Sequence, residues 1–271
     1  MACWPAAGRD GRRYGGVTHL DVDAFDPDEV RAMLERHRLS ISALAYYPNN
    51  LHRDDAHREA VNGHLRKVID AAQRLGVEVV GTFVGNDRHR PLPENLDRFR
   101  KIWPSIVAHA SERGVRIAIE NCPMIFSWDE WPGGGNLASS PAVWDELFAA
   151  VPDESFGLNL DPSHLVWLMI DEVQVVRDYG ERIFHVHAKD LEIDRRGLQR
   201  HGVLSLGMGW QVPRLPGFGE VRWDRFLAAL YAAGYDHAIS IEHEDRMFEG
   251  SEELVKRGFL IARDALRPYV R

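Results

Sequence analysis

Cysteine is nearly missing from this chain: Cys3 and Cys122 are the only two in 271 residues, too few for a disulfide framework. No charged segment followed by an apolar stretch opens the sequence in the manner of a secretory signal, so the expected compartment is a reducing cytoplasm. No apolar run approaches the roughly 18–20 residues needed to cross a bilayer, because charges or glycine interrupt every candidate. A soluble protein is expected, with no membrane partner. Basic runs are scarce as well. The formal charge is −8, which repels a polyanion such as DNA unless a basic face is segregated from the rest. The one arginine cluster, Arg9, Arg12 and Arg13, sits among glycines and reads as a solvated start to the chain. Internal repeats, low-complexity tracts and a glycine-rich phosphate cradle are also lacking, and the last of these weighs against a phosphorylated ligand.

What is present is a chain with 45% hydrophobic side chains, enough to bury a large core as one α/β barrel or as two smaller domains. Short β-branched runs alternate with amphipathic stretches, the signature of βαβ units around a parallel sheet. Strands are predicted near residues 40–46, 78–84, 115–121, 156–161, 182–188 and 238–242. Helices are predicted near 26–37, 56–75, 96–113, 141–150, 223–233 and 251–267. In the second helix Val61, Leu65, Val68, Ile69, Ala72 and Leu75 fall at helical spacing, and Gly76 follows as the expected C-cap. The segments after the strands, 122–140 and 191–222 above all, are long and rich in Gly, Pro and Trp. In parallel α/β folds such loops carry the active site.

Four chemically capable residues close four separate strands: Glu120, Asp161, His187 and Glu242. Side chains alternate across a strand, so counting back by two gives Ala118, Asn159 and Gly157, His185, and Ser240 and Ala238 on the same face as each candidate. Ile117, Ile119, Leu158, Leu160, Phe184, Val186, Ile239 and Ile241 have the opposite parity and are predicted to face the helices. All four candidates therefore share the small or polar face that lines a barrel axis. Three carboxylates and an imidazole converging there repel one another unless a cation neutralises them. Oxygen-rich ligation with one nitrogen favours Mn²⁺ or Mg²⁺, with Co²⁺ or Zn²⁺ behind. Taken singly, a strand-closing carboxylate is more often a helix N-cap or an arginine partner than a ligand, and a lone strand histidine is usually a satisfied core residue; it is the matching parity on four strands that points to a metal.

The ordered motifs Ile119-Glu120-Asn121, Asp161-Pro162-Ser163-His164, His185-Val186-His187-Ala188-Lys189-Asp190, Leu215-Pro216-Gly217-Phe218-Gly219 and Ile241-Glu242-His243-Glu244-Asp245 resemble the xylose-isomerase-like TIM-barrel superfamily, in its sugar phosphate isomerase/epimerase branch. The resemblance runs from about residue 40 to the C-terminus and implies a parallel (β/α)8 barrel as a single domain over residues 1–271. Likeness to ketose 3-epimerases implies that Glu120, Asp161, His187 and Glu242 bind one metal, that Glu120 and Glu242 form the acid/base pair, and that His164 touches substrate. The arginine that the family often carries a few positions past the metal histidine has no counterpart. Lys189 and Asp190 stand there, with Arg195, Arg196 and Arg214 further on. Lys189, Asn121 and Arg214 join the candidates for substrate binding, as do Trp4, Tyr46 and Tyr47, whose rings could stack on a sugar.

Such a site abstracts a proton alpha to a carbonyl through an enediolate held by the metal, giving epimerisation or aldose–ketose interconversion. Loss of a β-substituent from the same enediolate makes a lyase, and related barrels that dehydrate inososes are similar to this site. Apurinic endonucleases share the barrel but use an Asp-x-His pair between the fifth-strand histidine and the final glutamate, and residues 188–241 contain none. A non-catalytic module would not need the four ligands. Cys122 beside Glu120 reads as a small buried thiol, no partner base being placed by sequence. Oligomeric state is left open, a homo-oligomer included. At the N-terminus, residues 1–25 form an atypical segment. The resemblance implies that Ala2-Cys3-Trp4-Pro5 is the tail of a second strand, with the first βα unit and most of that strand lacking, while the Val17–Val22 stretch is the alternative source of a strand.

Overall fold

The computed structural model describes residues 19–125, 134–205 and 209–271. Six strands form one parallel sheet in the order β1 to β5 and then β8: β1 (Leu44–Tyr46), β2 (Val79–Thr82), β3 (Arg116–Glu120), β4 (Phe156–Leu160), β5 (Ile183–Ala188) and β8 (Ile239–Ile241). Each lies within the range predicted for it. Among the described residues β8 and β1 are the two edges and do not pair, so the sheet curves as part of a barrel without closing. Residues 19–22, the described part of the Val17–Val22 stretch, form no strand; Trp4 lies outside the described residues.

The helices between the strands follow from their local sequence. Helix α1 (Pro27–His37) starts on the Asp26 cap with proline in its first turn and precedes β1. Helix α2 (Asp55–Leu75) begins where the Asp54 carboxylate accepts the His57 amide at 2.7 Å and ends at Gly76 with φ 70°. It buries Val61, Leu65, Val68, Ile69 and Ala72 against the sheet. Helix α3 (Leu92–Ser111) buries Phe99 and Trp103, which meet Phe156 of β4 at ring-centroid distances of 6.1 and 5.7 Å. Helices α4 (Pro141–Ala150), α8 (Trp223–Ala232) and α9 (Glu252–Leu266) match the predicted spans closely. Three short helices were not foreseen, α5 (Pro162–Trp167), α6 (Glu172–Tyr179) and α7 (Arg195–His201), each started by an aspartate cap, Asp161, Asp171 and Asp194. No helix among the described residues is long and apolar enough to cross a membrane.

The 191–222 excursion proves to be structured. Strands β6 (Asp190–Ile193) and β7 (Gln211–Arg214) pair antiparallel, with α7 (Arg195–His201) between them. Buried Asp190 closes this lobe: its carboxylate accepts the amides of Leu191, Gly217 and Val221 and the indole N–H of Trp223, at 2.8–3.0 Å.

One parity expectation fails for a local reason. The β4–β5 register shifts between Leu158, which pairs with Ile183, and Asn159, which pairs with His185, so Phe184 is an extra residue on its strand. The bulge lets Phe184 and His185 both turn inward: Phe184 clusters with Ala43, Val79 and Ala118 rather than facing the helices. Gly157 makes room for it, since a Cβ there would come within 2.6 Å of the Phe184 ring and 2.2 Å of the Arg182 carbonyl.

Candidate metal centre

Parallel pairing brings the strand ends to one rim. Glu120 lies opposite Asn159, Leu160 opposite Val186, and His187 opposite Ser240, and the Glu242 amide extends the last ladder by donating to the Ala188 carbonyl at 3.1 Å. Glu120, Asp161, His187 and Glu242 thus converge, with one ligand-type atom from each within 4.8 Å of the others. Glu120 and Asp161 are buried, while His187 and Glu242 keep part of their surface open. His187 Nδ1 stands between the two glutamates, 3.5 Å from Glu120 Oε2 and 3.3 Å from Glu242 Oε2.

Asp161 is both a helix cap and a ligand candidate. One carboxylate oxygen, Oδ1, accepts the Ser163 amide at 2.8 Å and starts α5. The other, Oδ2, is buried without a hydrogen bond of good geometry and has Lys189 Nζ and His164 Nε2 each 3.2 Å away. Asn121, nominated for substrate, instead fixes this aspartate: its amide donates to the Asp161 carbonyl at 2.9 Å and accepts the Asp161 N–H at 2.8 Å.

Behind the imidazole runs a chain of polar contacts. His185 Nδ1 donates to Asn159 Oδ1 at 3.0 Å, and its Nε2 accepts from Ser240 and Ser42 at 3.1 and 3.3 Å. Asn159 Nδ2 donates to the Tyr47 hydroxyl at 3.0 Å and lies 3.1 Å from His187 Nε2. Burial, aided by the nearby His187, takes the His185 pKa down to about 3, so this ring stays neutral.

The carboxylates favour positive charge at the rim. Burial works against a protonated His187, but Glu120 and Glu242 outweigh it and lift its pKa to about 9. Lys189 is almost fully buried, yet Glu242, Asp161 and Glu244, each with an oxygen 3.0–3.2 Å from its Nζ, hold it charged. Burial alone would raise Glu242; Lys189 and His187 keep it well below the usual carboxylate range. His164, also buried, is lifted well above its ordinary value, since Asp161 and Cys122 outweigh desolvation.

A metal fits these residues. Three carboxylates and one imidazole make an oxygen-rich donor set suited to a hard or borderline divalent ion. Asp161 Oδ2, buried and making no hydrogen bond, is the kind of polar atom that a cation satisfies.

Other nominated residues divide. His164 and Lys189 line the cluster. Tyr46 does not, because it faces α2, with its ring 4.6 Å from that of His64 and only 2% exposed. Its neighbour Tyr47 points into the barrel instead, beside Asn159 and 6.5 Å from the His187 ring, over Gly81, whose lack of a Cβ leaves room for the hydroxyl. Arg214 is engaged by Glu192 at 2.6 Å and by Asp245 at 3.4 Å. Asn159 was legible as the strand-parity neighbour of Asp161, and Lys189 from its place just past the strand histidine; Glu244, two residues past Glu242, was not nominated for the cluster.

The sequence profile of a family described as "Xylose isomerase-like TIM barrel" matches residues 6–265. The uncharacterized protein YfiH of Bacillus subtilis (strain 168) is 32% identical over 152 residues, 53% of this chain and 45% of that protein. An inosose dehydratase of Clostridium botulinum (strain Eklund 17B / Type B) is 22% identical over 191 residues, 70% of this chain and 61% of that protein. The matches thus span about half to three-fifths of these relatives' lengths. Among solved structures, the IOLI protein with a bound zinc atom superposes with a TM-score of 0.67 at 18% identity, covering 92% of this chain and 84% of that one. L-ribulose 3-epimerase superposes with a TM-score of 0.66 at 18% identity, covering 91% and 79%. Both likenesses concern the fold.

Proposed function

Because the chain belongs to the xylose isomerase-like TIM-barrel family, we propose that it is a divalent-metal-dependent isomerase or epimerase of a keto-sugar or related polyol, acting by proton transfer at the carbon alpha to a carbonyl. The observation that carries this reading is the pair of glutamates on either side of His187, Glu120 from β3 and Glu242 beyond β8, at 3.5 and 3.3 Å from its Nδ1. Two carboxylates reaching one point from different strands suit a reaction in which one face of a carbon loses a proton and the other gains it.

In this reading Glu120, Asp161, His187 and Glu242 hold the ion, Mn²⁺ or Mg²⁺ first by donor type, and Zn²⁺ or Co²⁺ behind. When bound, the cation stabilises negative charge developing on the substrate's oxygens. Glu242, kept ionised by Lys189 and His187, accepts the proton from carbon, and Glu120 is the partner that returns one. Lys189 and His164 meet substrate hydroxyl or carbonyl oxygens at the buried side, and Tyr47 packs against the sugar where Tyr46 cannot. Asn159 and His185 hold the His187 ring in register. Return of the proton to the opposite face gives an epimer, and return to the neighbouring carbon gives an isomer.

The similarity to an inosose dehydratase supports a second reading, a lyase that uses the same abstraction and then loses water. A screen of keto-sugars and inososes with added Mn²⁺, followed by NMR for solvent deuterium at carbon, separates the two. Exchange without elimination supports the epimerase, and stoichiometric loss of water supports the lyase. Glu120→Gln and Glu242→Gln are expected to lower turnover by at least about 100-fold, the lower range of acid–base contributions; wild-type rates in both variants would remove the pair from the mechanism.

A further inference from the structure

Against the oxygen-rich cluster lies a second group of ligand-type side chains, Glu120, Cys122 and His164, all buried, with one ligand atom from each within 4.8 Å of the others. We propose that these three residues form a second, softer cation site, suited to Zn²⁺ or Co²⁺, bridged to the first by the Glu120 carboxylate. The inference shares Glu120 with the centre described above but does not depend on the reaction assigned to it.

The two oxygens of Glu120 diverge. Oε2 faces His187 Nδ1 at 3.5 Å, and Oε1 faces His164 Nε2 at the same distance of 3.5 Å. Atoms bonded at about 2.0–2.3 Å to one tetrahedral ion are spaced about 3.3–3.7 Å apart, so each oxygen stands one polyhedron edge from a different imidazole. Carboxylates that bridge in this way join ions about 3.5–4 Å apart in two-metal sites.

His164 supplies the second observation. It is only 5% exposed, and neither ring nitrogen makes a hydrogen bond, although Nε2 lies 3.2 Å from Asp161 Oδ2 and 3.5 Å from Glu120 Oε1. A buried imidazole whose nitrogens make no hydrogen bond is costly, and a metal ion is one of the few ligands able to satisfy it while also neutralising the carboxylates beside it. Cys122 is 6% exposed, and its sulfur accepts the Met124 amide at 3.4 Å, which orients Sγ. The Asn136 side chain fixes the backbone beneath both β3-derived ligands, donating to the carbonyls of Glu120 at 2.9 Å and Cys122 at 2.8 Å. Sulfur, imidazole and one carboxylate oxygen make a softer set than the neighbouring three carboxylates and one imidazole, so the two positions select different ions. A nucleophilic thiol–imidazole pair would use Cys122 and His164 but take no cation. With an ion between them, His164 meets substrate oxygens through that ion.

The test is titration of the metal-free full-length protein with Co²⁺, read by equilibrium stoichiometry and by electronic absorption. The expected result is two equivalents bound, with a thiolate-to-cobalt charge-transfer band in the near ultraviolet. Cys122→Ser and Cys122→Ala, checked for folding by circular dichroism, are expected to keep one equivalent and lose the band. Asp161→Asn is expected to weaken the other equivalent and keep the band. A wild-type protein that binds one equivalent without the band overturns the second site and leaves the first standing, as does retention of two equivalents in both cysteine variants. Binding of no cation at all overturns both centres.

Discussion

Replacing Asp161 separates its two roles, because each carboxylate oxygen has a different partner. Asp161→Asn keeps an oxygen able to accept the Ser163 amide that Oδ1 now takes at 2.8 Å, and removes the charge at Oδ2. Asp161→Ala removes both. Losing an aspartate N-cap costs about 0.5–2 kcal/mol, and in a chain of this size 1 kcal/mol corresponds to a melting shift of about 2–4 °C. The alanine variant should therefore melt several degrees below the asparagine variant in metal-free buffer. The asparagine variant should stay near wild type: its loss of attraction to Lys189, 3.2 Å away, is offset by relief from the neighbouring carboxylates, and Lys189 keeps Glu242 and Glu244. Affinity for Mn²⁺ should fall in both variants by more than about 100-fold, beyond the 10–100-fold typical of residues that only support a ligand. Calorimetric melts and isothermal titration with Mn²⁺ read the two effects separately. An asparagine variant that binds Mn²⁺ as tightly as wild type would refute Asp161 as a ligand, and equal melting of the two variants would refute the cap.

Chelation by EDTA should abolish activity, and Mn²⁺ or Co²⁺ should restore it; full activity in protein shown metal-free by elemental analysis contradicts the centre. His185 stays neutral in the fold down to about pH 3, whereas the unfolded chain protonates it near 6.5. The unfolded state thus binds the extra proton between these values, and metal-free stability should fall as pH drops through that window. The slope contributed is up to about 1.4 kcal/mol per pH unit. Urea unfolding of wild type and His185→Gln should show this difference in slope between pH 4.5 and 6, and parallel curves would contradict a buried neutral ring. Gly157→Ala drives a methyl into Phe184 and the Arg182 carbonyl, so thermal melts should register a loss of about 1–3 kcal/mol. Unchanged stability there would mean that the bulge yields freely.

The sequence by itself determined the order of the six strands of the main sheet and of the long helices between them, and which four side chains share one face at the strand ends. Both signals are local: alternation with a period of two residues states which way each strand residue points, and apolar residues three and four apart mark the buried face of each long helix. Asp161 shows the limit of that reading, since cap and ligand looked like alternatives in the sequence, whereas one carboxylate oxygen caps α5 and the other is left turned to the cluster, so that the cap does not exclude the proposed ligand role. Only the tertiary structure decided the rest. Pairing of β6 with β7 joins segments separated by residues 194–210, too far apart for a hairpin-turn signal to reveal. The inward turn of Phe184 depends on a register shift against β4, a property of two strands rather than one. Tyr46 and Tyr47, being adjacent, face opposite ways, and it is the packing of Tyr46 against His64 of α2 that leaves Tyr47 to enter the barrel beside Asn159. The meeting of Cys122 with His164, and of Lys189 with Asp161, Glu242 and Glu244, joins side chains from different strand ends. Such contacts are fixed by packing energies shared among residues distant along the chain, and a one-dimensional pattern carries the direction of each side chain but not the partner it will find.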